Sequence, residues 1–188
     1  GIRVGSGQNI REANFCEVPP AQISGYVFQD GPIITNATGE IPQDLRSLRD
    51  GTRTDDDTPI AGVTLQLRAL TGMPLDASRA LPGIYSGSII EVQTDANGYF
   101  VFSGLRPGTY HVYQQQPAGY QDGLDTPGTT TGFAVNPGES VPSAILSLLQ
   151  LSNPLANPGR DAILAISVAA GEISLENNFS EVIARAEQ

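Results

Sequence analysis

The sequence predicts an all-β fold, an antiparallel β-sandwich with long loops and at most short helical turns. The chain of 188 residues contains 21 glycines and 14 prolines, many at turn positions, which favours many short strands over long helices. Several stretches alternate apolar and polar residues with the period of two that marks a half-buried strand. Residues 94–113 show two turns and three short runs, the pattern of an antiparallel meander.

This meander is the most regular part of the chain. Residues 95–98 end in Asn-Gly, which supplies the positive φ that hairpin turns need. Phe100 and Phe102 then point to one face of a strand, because successive side chains alternate across a sheet. Residues 105–108 form a second turn around a proline, and Tyr110 resumes the apolar face.

Other strands follow from the same alternation on either side of the meander. We predict them at 23–28, 63–68, 90–94, 164–168 and 173–182, with helix confined to short pieces near 43–49 and 143–151. The predicted core consists of Val27, Val63, Leu65, Leu67, Ile90, Val92, Phe100, Phe102, Leu105, Tyr110, Val112, Leu164, Ile166 and Phe179.

The meander also carries a family resemblance. Residues 94–102 read T-D-x-N-G-x-F-x-F and residues 104–112 read G-L-x-P-G-x-Y-x-V. This pattern resembles the SdrD B-like and Cna-B-type repeat domains of bacterial cell-surface proteins. Flanking stretches at 23–28, 59–67 and 177–181 resemble other strands of that family, and 116–123 resembles the loop after its meander. The resemblance implies an Ig-like, prealbumin-like sandwich in an extracellular protein, either at the cell surface or secreted.

An internal repeat suggests how the chain is divided. Residues 7–18 match residues 171–182 at six of twelve positions, including an Asn-Phe-x-Glu-Val pattern. We therefore predict that residues 1–20 are the end of a preceding repeat plus a Pro-Pro linker, 21–183 are one module, and 184–188 are a C-terminal linker. The extra strand copy belongs either to a covalently preceding repeat or to another subunit, so the expected partners are neighbouring repeats or identical subunits arranged head to tail.

Charge and composition exclude several classes of protein. The net charge is −10 and the sequence contains no lysine, so we expect no nucleic-acid partner. No apolar run is long enough for a membrane span, so we expect no membrane insertion. The family resemblance would imply an internal isopeptide bond from lysine to asparagine or aspartate, and a chain without lysine cannot form it.

Catalytic motifs are absent from the sequence. The single histidine, His111, falls in a predicted strand, and we expect it on the surface of a sheet. One cysteine and one histidine cannot supply zinc-ligand spacing, and the sequence has neither a nucleophile elbow nor a phosphate-binding loop. We therefore predict that the chain is not an enzyme.

Calcium is the expected cofactor. Calcium takes several oxygen ligands, and the resemblance implies an acidic loop for it between the first two strands. The long connection 30–59 lies at this place, although it lacks the compact spacing of an EF-hand loop. Three of its carboxylates are adjacent in sequence and repel one another, and a bound cation would relieve that repulsion. The predicted ligands in this loop are Asp30, Asp50, Asp55, Asp56 and Asp57. Asp122 and Asp125 form a second, smaller candidate cluster.

Two functions fit these features. The first is a structural module of a tandem-repeat bacterial surface protein, forming a calcium-stabilised stalk, spacer or fibre. The alternative is an adhesive module that recognises an extracellular carbohydrate or protein through the 30–59 loop. A loop that binds a ligand should present aromatic or arginine anchors. The 30–59 loop has no aromatic residue, which favours the hypothesis of a structural module.

Overall fold

The computed structural model describes residues 3–9, 11, 17–148 and 161–187. Within these residues the chain forms thirteen strands, one short α-helix and two 3-10 turns. The strands are β1 (Ala21–Gln29), β2 (Ile34–Asn36), β3 (Thr58–Pro59), β4 (Thr64–Arg68), β5 (Glu91–Gln93), β6 (Tyr99–Leu105), β7 (Gly108–Gln114), β8 (Gln121–Asp122), β9 (Thr131–Val135), β10 (Ala162–Val168), β11 (Ile173–Ser174), β12 (Phe179–Val182) and β13 (Ala184–Ala186).

In the described ranges, helix is confined to the predicted places and one further turn. A 3-10 turn spans Leu45–Ser47, a second spans Ala77–Arg79, and α1 spans Ser143–Leu148. The prediction of helical turns near 43–49 and 143–151 is therefore confirmed, although residues 149–151 lie outside the described residues.

Two sheets form the predicted sandwich, so the all-β prediction is confirmed. The first sheet is centred on β1, which pairs with β6 and β3 in antiparallel fashion and with β11 and β12 in parallel fashion; β12 also pairs with β8. The second sheet has the order β5-β4-β7-β10-β9 and is antiparallel throughout. A separate parallel pair joins β2 and β13.

The antiparallel pairing expected for the sandwich does not extend to the closing strand, which pairs with β1 in parallel fashion. After β10 the chain crosses from the second sheet to the first and runs beside β1 in the same direction. The predicted continuous strand 173–182 is also divided, because residues 175–178 leave the ladder and Glu176 adopts a positive φ of 58°. Of the predicted strand 173–182, the parts that remain paired with β1 are β11 and β12.

The core lies between the two sheets and agrees closely with the prediction. Phe100, Phe102 and Phe179 are fully buried and their rings pack at centroid distances near 6 Å. Of the predicted core residues, Val92 is only half-buried because it lies on the short edge strand β5. Leu164 is buried, but in a small cluster on the outer face of the second sheet rather than in the main core.

The segments that flank the predicted module differ in their structure. The C-terminal segment forms a strand of a small sheet, whereas the described N-terminal residues are exposed. Pairing continues past residue 183, since β13 forms a parallel ladder with β2 where we expected a linker. At the other end, the described residues among 1–20 are exposed, and the Pro19 carbonyl accepts a hydrogen bond from the Gly171 N–H at 3.0 Å. Residues 10 and 12–16 of the predicted strand copy lie outside the described residues.

Candidate functional site

Three buried aspartates from different parts of the chain come together. Asp122 ends β8, Asp125 follows three residues later, and Asp161 immediately precedes β10. One oxygen from each carboxylate lies within 4.8 Å of the others, and the residues are 8%, 3% and 5% exposed. Across the described ranges, no other set of three His, Cys, Asp or Glu side chains meets this distance. We call these three residues the acid cluster.

The closing strand fixes the orientation of Asp125. The Ser180 N–H in β12 donates to Asp125 Oδ1 at 3.1 Å, and the Asp125 N–H donates to Asn136 Oδ1 at 2.7 Å. Asp125 Oδ2 is buried and has no hydrogen-bond partner in the described part of the chain. A buried carboxylate oxygen without a donor is unfavourable unless the group is protonated or neutralised by a cation.

Electrostatics in the acid cluster favour such neutralisation. Burial raises the pKa of Asp125 well above its usual value, and the negative charges of Asp122 and Asp161 raise it further. The hydrogen bond from the Ser180 N–H acts in the opposite direction but is the smaller effect. A bound divalent cation would convert the repulsion among the carboxylates into attraction. The acid cluster therefore suits either a proton or a cation.

Glu181 adds a fourth buried acid beside the cluster. It lies in β12 with no exposed surface, and the side-chain amides of Gln114 and Gln116 donate to its carboxylate. Burial raises the pKa of Glu181 to about 8, and the charge of Asp161 contributes to the shift. At neutral pH this side chain therefore keeps its proton in the folded protein.

The acidic loop uses its carboxylates as hydrogen-bond acceptors that shape turns. Asp57 accepts from the Gly31 N–H at 2.8 Å and from the Thr54 N–H at 2.6 Å. Asp56 accepts from the Thr54 hydroxyl at 2.6 Å. These contacts anchor the loop to the end of β1.

Asp30 is the buried carboxylate of this loop. Its Oδ2 accepts from the Gly51 N–H at 2.9 Å, and its Oδ1 lies 4.0 Å from Arg49 Nε. Burial raises the pKa of Asp30, while the Gly51 hydrogen bond acts against that shift. Asp50 accepts from the Thr52 N–H at 2.8 Å on the exposed side.

The structure thus separates the two predicted sets of ligands. It brings Asp122 and Asp125 together and adds Asp161, which the sequence did not indicate because it is distant along the chain. Asp30, Asp50, Asp55, Asp56 and Asp57 do not form a comparable group among the described residues. Glu181 was also missed, although it is one of the six positions that 171–182 shares with 7–18.

One known protein family matches this chain. The model of the SdrD B-like domain family matches residues 46–140, about half of the chain. The chain belongs to this family. The matched region of this SdrD B-like domain includes the meander and two members of the acid cluster, Asp122 and Asp125.

Relatives of this SdrD B-like domain include the serine-aspartate repeat-containing protein D of Staphylococcus aureus strains Newman and MW2. Each is 26% identical over 140 residues, covering 70% of this chain and 8% of the relative. The domain therefore spans less than a tenth of the length of these curated relatives.

Solved pilin structures are also similar. The minor pilin GBS52 of Streptococcus agalactiae is 12% identical with a TM-score of 0.46, covering 91% of this chain and 48% of the pilin. The D1 domain of the Streptococcus pneumoniae RrgB pilus backbone is 10% identical with a TM-score of 0.39, covering 98% and 97% of the two chains.

His111 lies in the interior rather than on the sheet surface, so its expected position is wrong. It has no exposed surface, and its Nδ1 accepts a hydrogen bond from the Ala165 N–H at 2.9 Å. Burial lowers the pKa of His111, which keeps the imidazole neutral. The SdrD B-like domain therefore uses its histidine in packing.

Among the described helices, none has the length and apolar character needed to cross a bilayer.

Proposed function

We propose that this SdrD B-like domain is a structural module of an extracellular repeat protein, at the cell surface or secreted, which forms a stalk, spacer or fibre. One observation carries the proposal: β1 and β12 lie side by side and run in the same direction. The chain therefore enters the sandwich at the start of β1, and β12 carries it towards the opposite end of the same sheet, where it continues into β13. Modules connected in this way extend in line.

The register of the two strands supports this linear geometry. Val27 pairs with Phe179 and Gln29 with Glu181, so β12 lies beside the last residues of β1. With about 3.3 Å per residue, the nine residues of β1 separate the two ends by roughly 30 Å. The Pro19-Pro20 pair before β1 adds a stiff, extended spacer. The sequence likeness of residues 7–18 to residues 171–182 supports a neighbouring module of the same kind.

Small-angle scattering of two copies joined in one chain tests this proposal. We expect a maximum dimension close to twice that of the single domain, because the second copy begins where the first ends. Replacing Pro19 and Pro20 by glycine in the connecting copy should broaden the distance distribution, since glycine linkers are flexible. A compact particle in which the copies lie side by side would contradict the stalk proposal.

We also propose that calcium stabilises the module at the acid cluster. Calcium prefers carboxylate and carbonyl oxygens, and Asp125 Oδ2 is a buried carboxylate oxygen with no donor among the described residues. Asp122 also lines a cleft of about 760 Å³, so one member of the acid cluster borders this cleft. The acidic loop is the second candidate, because Asp30, Asp50 and Asp56 line a smaller cleft of about 410 Å³.

A further inference from the structure

A cleft of about 530 Å³ lies on the outer face of the first sheet. Its lining comes from β1, the acidic loop, the turn before β6 and the segment between β11 and β12. The residues that matter here are Tyr26, Arg53, Asp95, Asn97, Tyr99 and Glu176. The stalk and calcium proposals use none of them, so this cleft is a separate feature.

Two tyrosines form the floor of the cleft. Tyr26 and Tyr99 are cross-strand partners in β1 and β6, and their ring centroids lie 5.3 Å apart with an interplanar angle of 55°. The Arg53 guanidinium carbon lies 4.2 Å from the Tyr26 ring centroid, in a cation–π contact. The acidic loop 30–59 contains no aromatic residue, but through Arg53 it contacts an aromatic ring of the first sheet.

Several polar groups that line the same cleft have no hydrogen-bond partner among the described residues. The hydroxyls of Tyr26 and Tyr99, the Asn97 amide and the Arg53 guanidinium make no hydrogen bond to a described residue. Asp95 Oδ1 accepts from the N–H groups of Asn97 and Tyr99, which fixes the turn that presents these side chains. The donors and acceptors are thus held in place and available to a ligand.

The position of the cleft restricts what it can bind. β1 is paired on both sides, by β6 on one and by β11 and β12 on the other, so a peptide cannot add as a strand. Asp95 and Glu176 outnumber the single cation Arg53, and the chain carries a net charge of −10. This balance disfavours anionic ligands.

We propose that this cleft binds a neutral carbohydrate. A pyranose ring has an apolar C–H face that packs against an aromatic ring, here Tyr99, whose ring centroid lies 5.3 Å from that of Tyr26, the ring that Arg53 contacts. Its hydroxyls both donate and accept, which matches the Asp95 carboxylate, the Asn97 amide and the Arg53 guanidinium. A concave site with aromatic walls and a few fixed polar groups is the usual form of a small-ligand site.

Binding of the labelled chain to an array of neutral hexose and N-acetylhexosamine oligosaccharides, with sialylated counterparts, tests the proposal. We expect neutral glycans to be retained and their sialylated forms to bind more weakly. Calorimetry with the best neutral glycan should show at least a tenfold loss of affinity in Arg53→Ala and in Asn97→Ala. Both side chains are exposed, so both variants should keep the melting temperature of the parent.

Arg46→Ala is the matched control. Arg46 lies in the same loop, is exposed, and its substitution causes the same change of charge, but it does not line the cleft. We expect this variant to bind like the parent. The proposal is overturned if no neutral glycan is retained, if sialylated glycans bind more tightly, or if Arg53→Ala and Asn97→Ala bind as the parent does. The scattering test of the stalk proposal is unaffected by any of these results.

Discussion

The backbone of Gly25 lies directly against the carbonyl group of Asn177. A Cβ atom on Gly25 would be 1.8 Å from the Asn177 oxygen and 2.5 Å from its carbon. The contact occurs where the closing segment leaves the ladder between β11 and β12. There the Tyr26 N–H donates to the side-chain Oδ1 of Asn178 at 3.0 Å, so a side chain replaces a backbone carbonyl as the partner of β1.

Substitution of this glycine should therefore be costly. We expect Gly25→Ala to lower the free energy of unfolding by about 3 kcal/mol or more, because the clash is with backbone that cannot rotate away. Gly87→Ala is the control, since its Cβ would approach no atom closer than 3.6 Å, and it should change stability by less than about 0.5 kcal/mol. Urea denaturation of both variants measures the difference. Equal effects would show that the closing segment can move away.

Stability should fall as pH rises towards 8. The raised pKa of Glu181, about 8 against 4.5 when unfolded, means that the folded state retains a proton that the unfolded state has lost. The free energy of unfolding therefore decreases with pH between these values, by at most about 1.4 kcal/mol per unit for one group. Denaturation is measured at several pH values between 7 and 8, where His111 contributes little because it is neutral in the folded state and largely neutral when unfolded.

A charge-matched pair of variants assigns that slope. Glu181→Gln removes this titrating group and should reduce the dependence, and any slope that remains is expected from Asp125, whose pKa is also raised by burial. Glu91→Gln changes an exposed glutamate of β5 and should leave the slope as in the parent. If Glu181→Gln kept the full slope, the proton would reside elsewhere.

Calcium should raise the melting temperature relative to chelator at matched ionic strength. A ligand that binds only the folded state adds about 2.7 kcal/mol at one hundred times its Kd. Asp125→Asn should abolish the increase, whereas Asp56→Asn, in the acidic loop, should preserve it. The reverse pattern would place the ion in the loop, and an unchanged melting temperature with no metal found by elemental analysis would refute calcium binding altogether.

Removal of residues 1–18 should leave a monomer of unchanged melting temperature. The described residues of this segment are exposed, and the contact of Pro19 with Gly171 is retained. Mass measurement and thermal melting of the truncated chain provide the test. Loss of an assembly that the full chain forms would instead favour strand addition between subunits, and unfolding of an isolated monomer would make the segment integral to this domain.

The main core was predictable because it depends on local alternation. Phe100, Phe102, Leu65 and Leu67 lie on strands whose period of two appears in the sequence, and all four are fully buried. The acid cluster was only half predictable. Asp122 and Asp125 are close in sequence, whereas Asp161 joins them through the folding of β10 into the second sheet.

The position of His111 shows what alternation cannot reveal. Its pairing partner β10 contains an irregularity between Ile163 and Ile166, where Ala165 adopts a positive φ of 57°. This irregularity points the Ala165 N–H at the imidazole. A bulge in one strand determines the environment of a residue in another, and the sequence around His111 carries no sign of it.

The parallel pairing of β1 with β12 has a mechanical consequence. A tension applied between the N-terminal end of β1 and the C-terminal end of β12 pulls the two strands past each other along their length. The load is then shared in shear by the hydrogen bonds that join Val27–Gln29 to Phe179–Glu181, with the Asp30 N–H to Glu181 carbonyl bond at the end of the row. Bonds loaded together must break together, so traction along the chain meets its greatest resistance at the junction of the first strand and the closing strand.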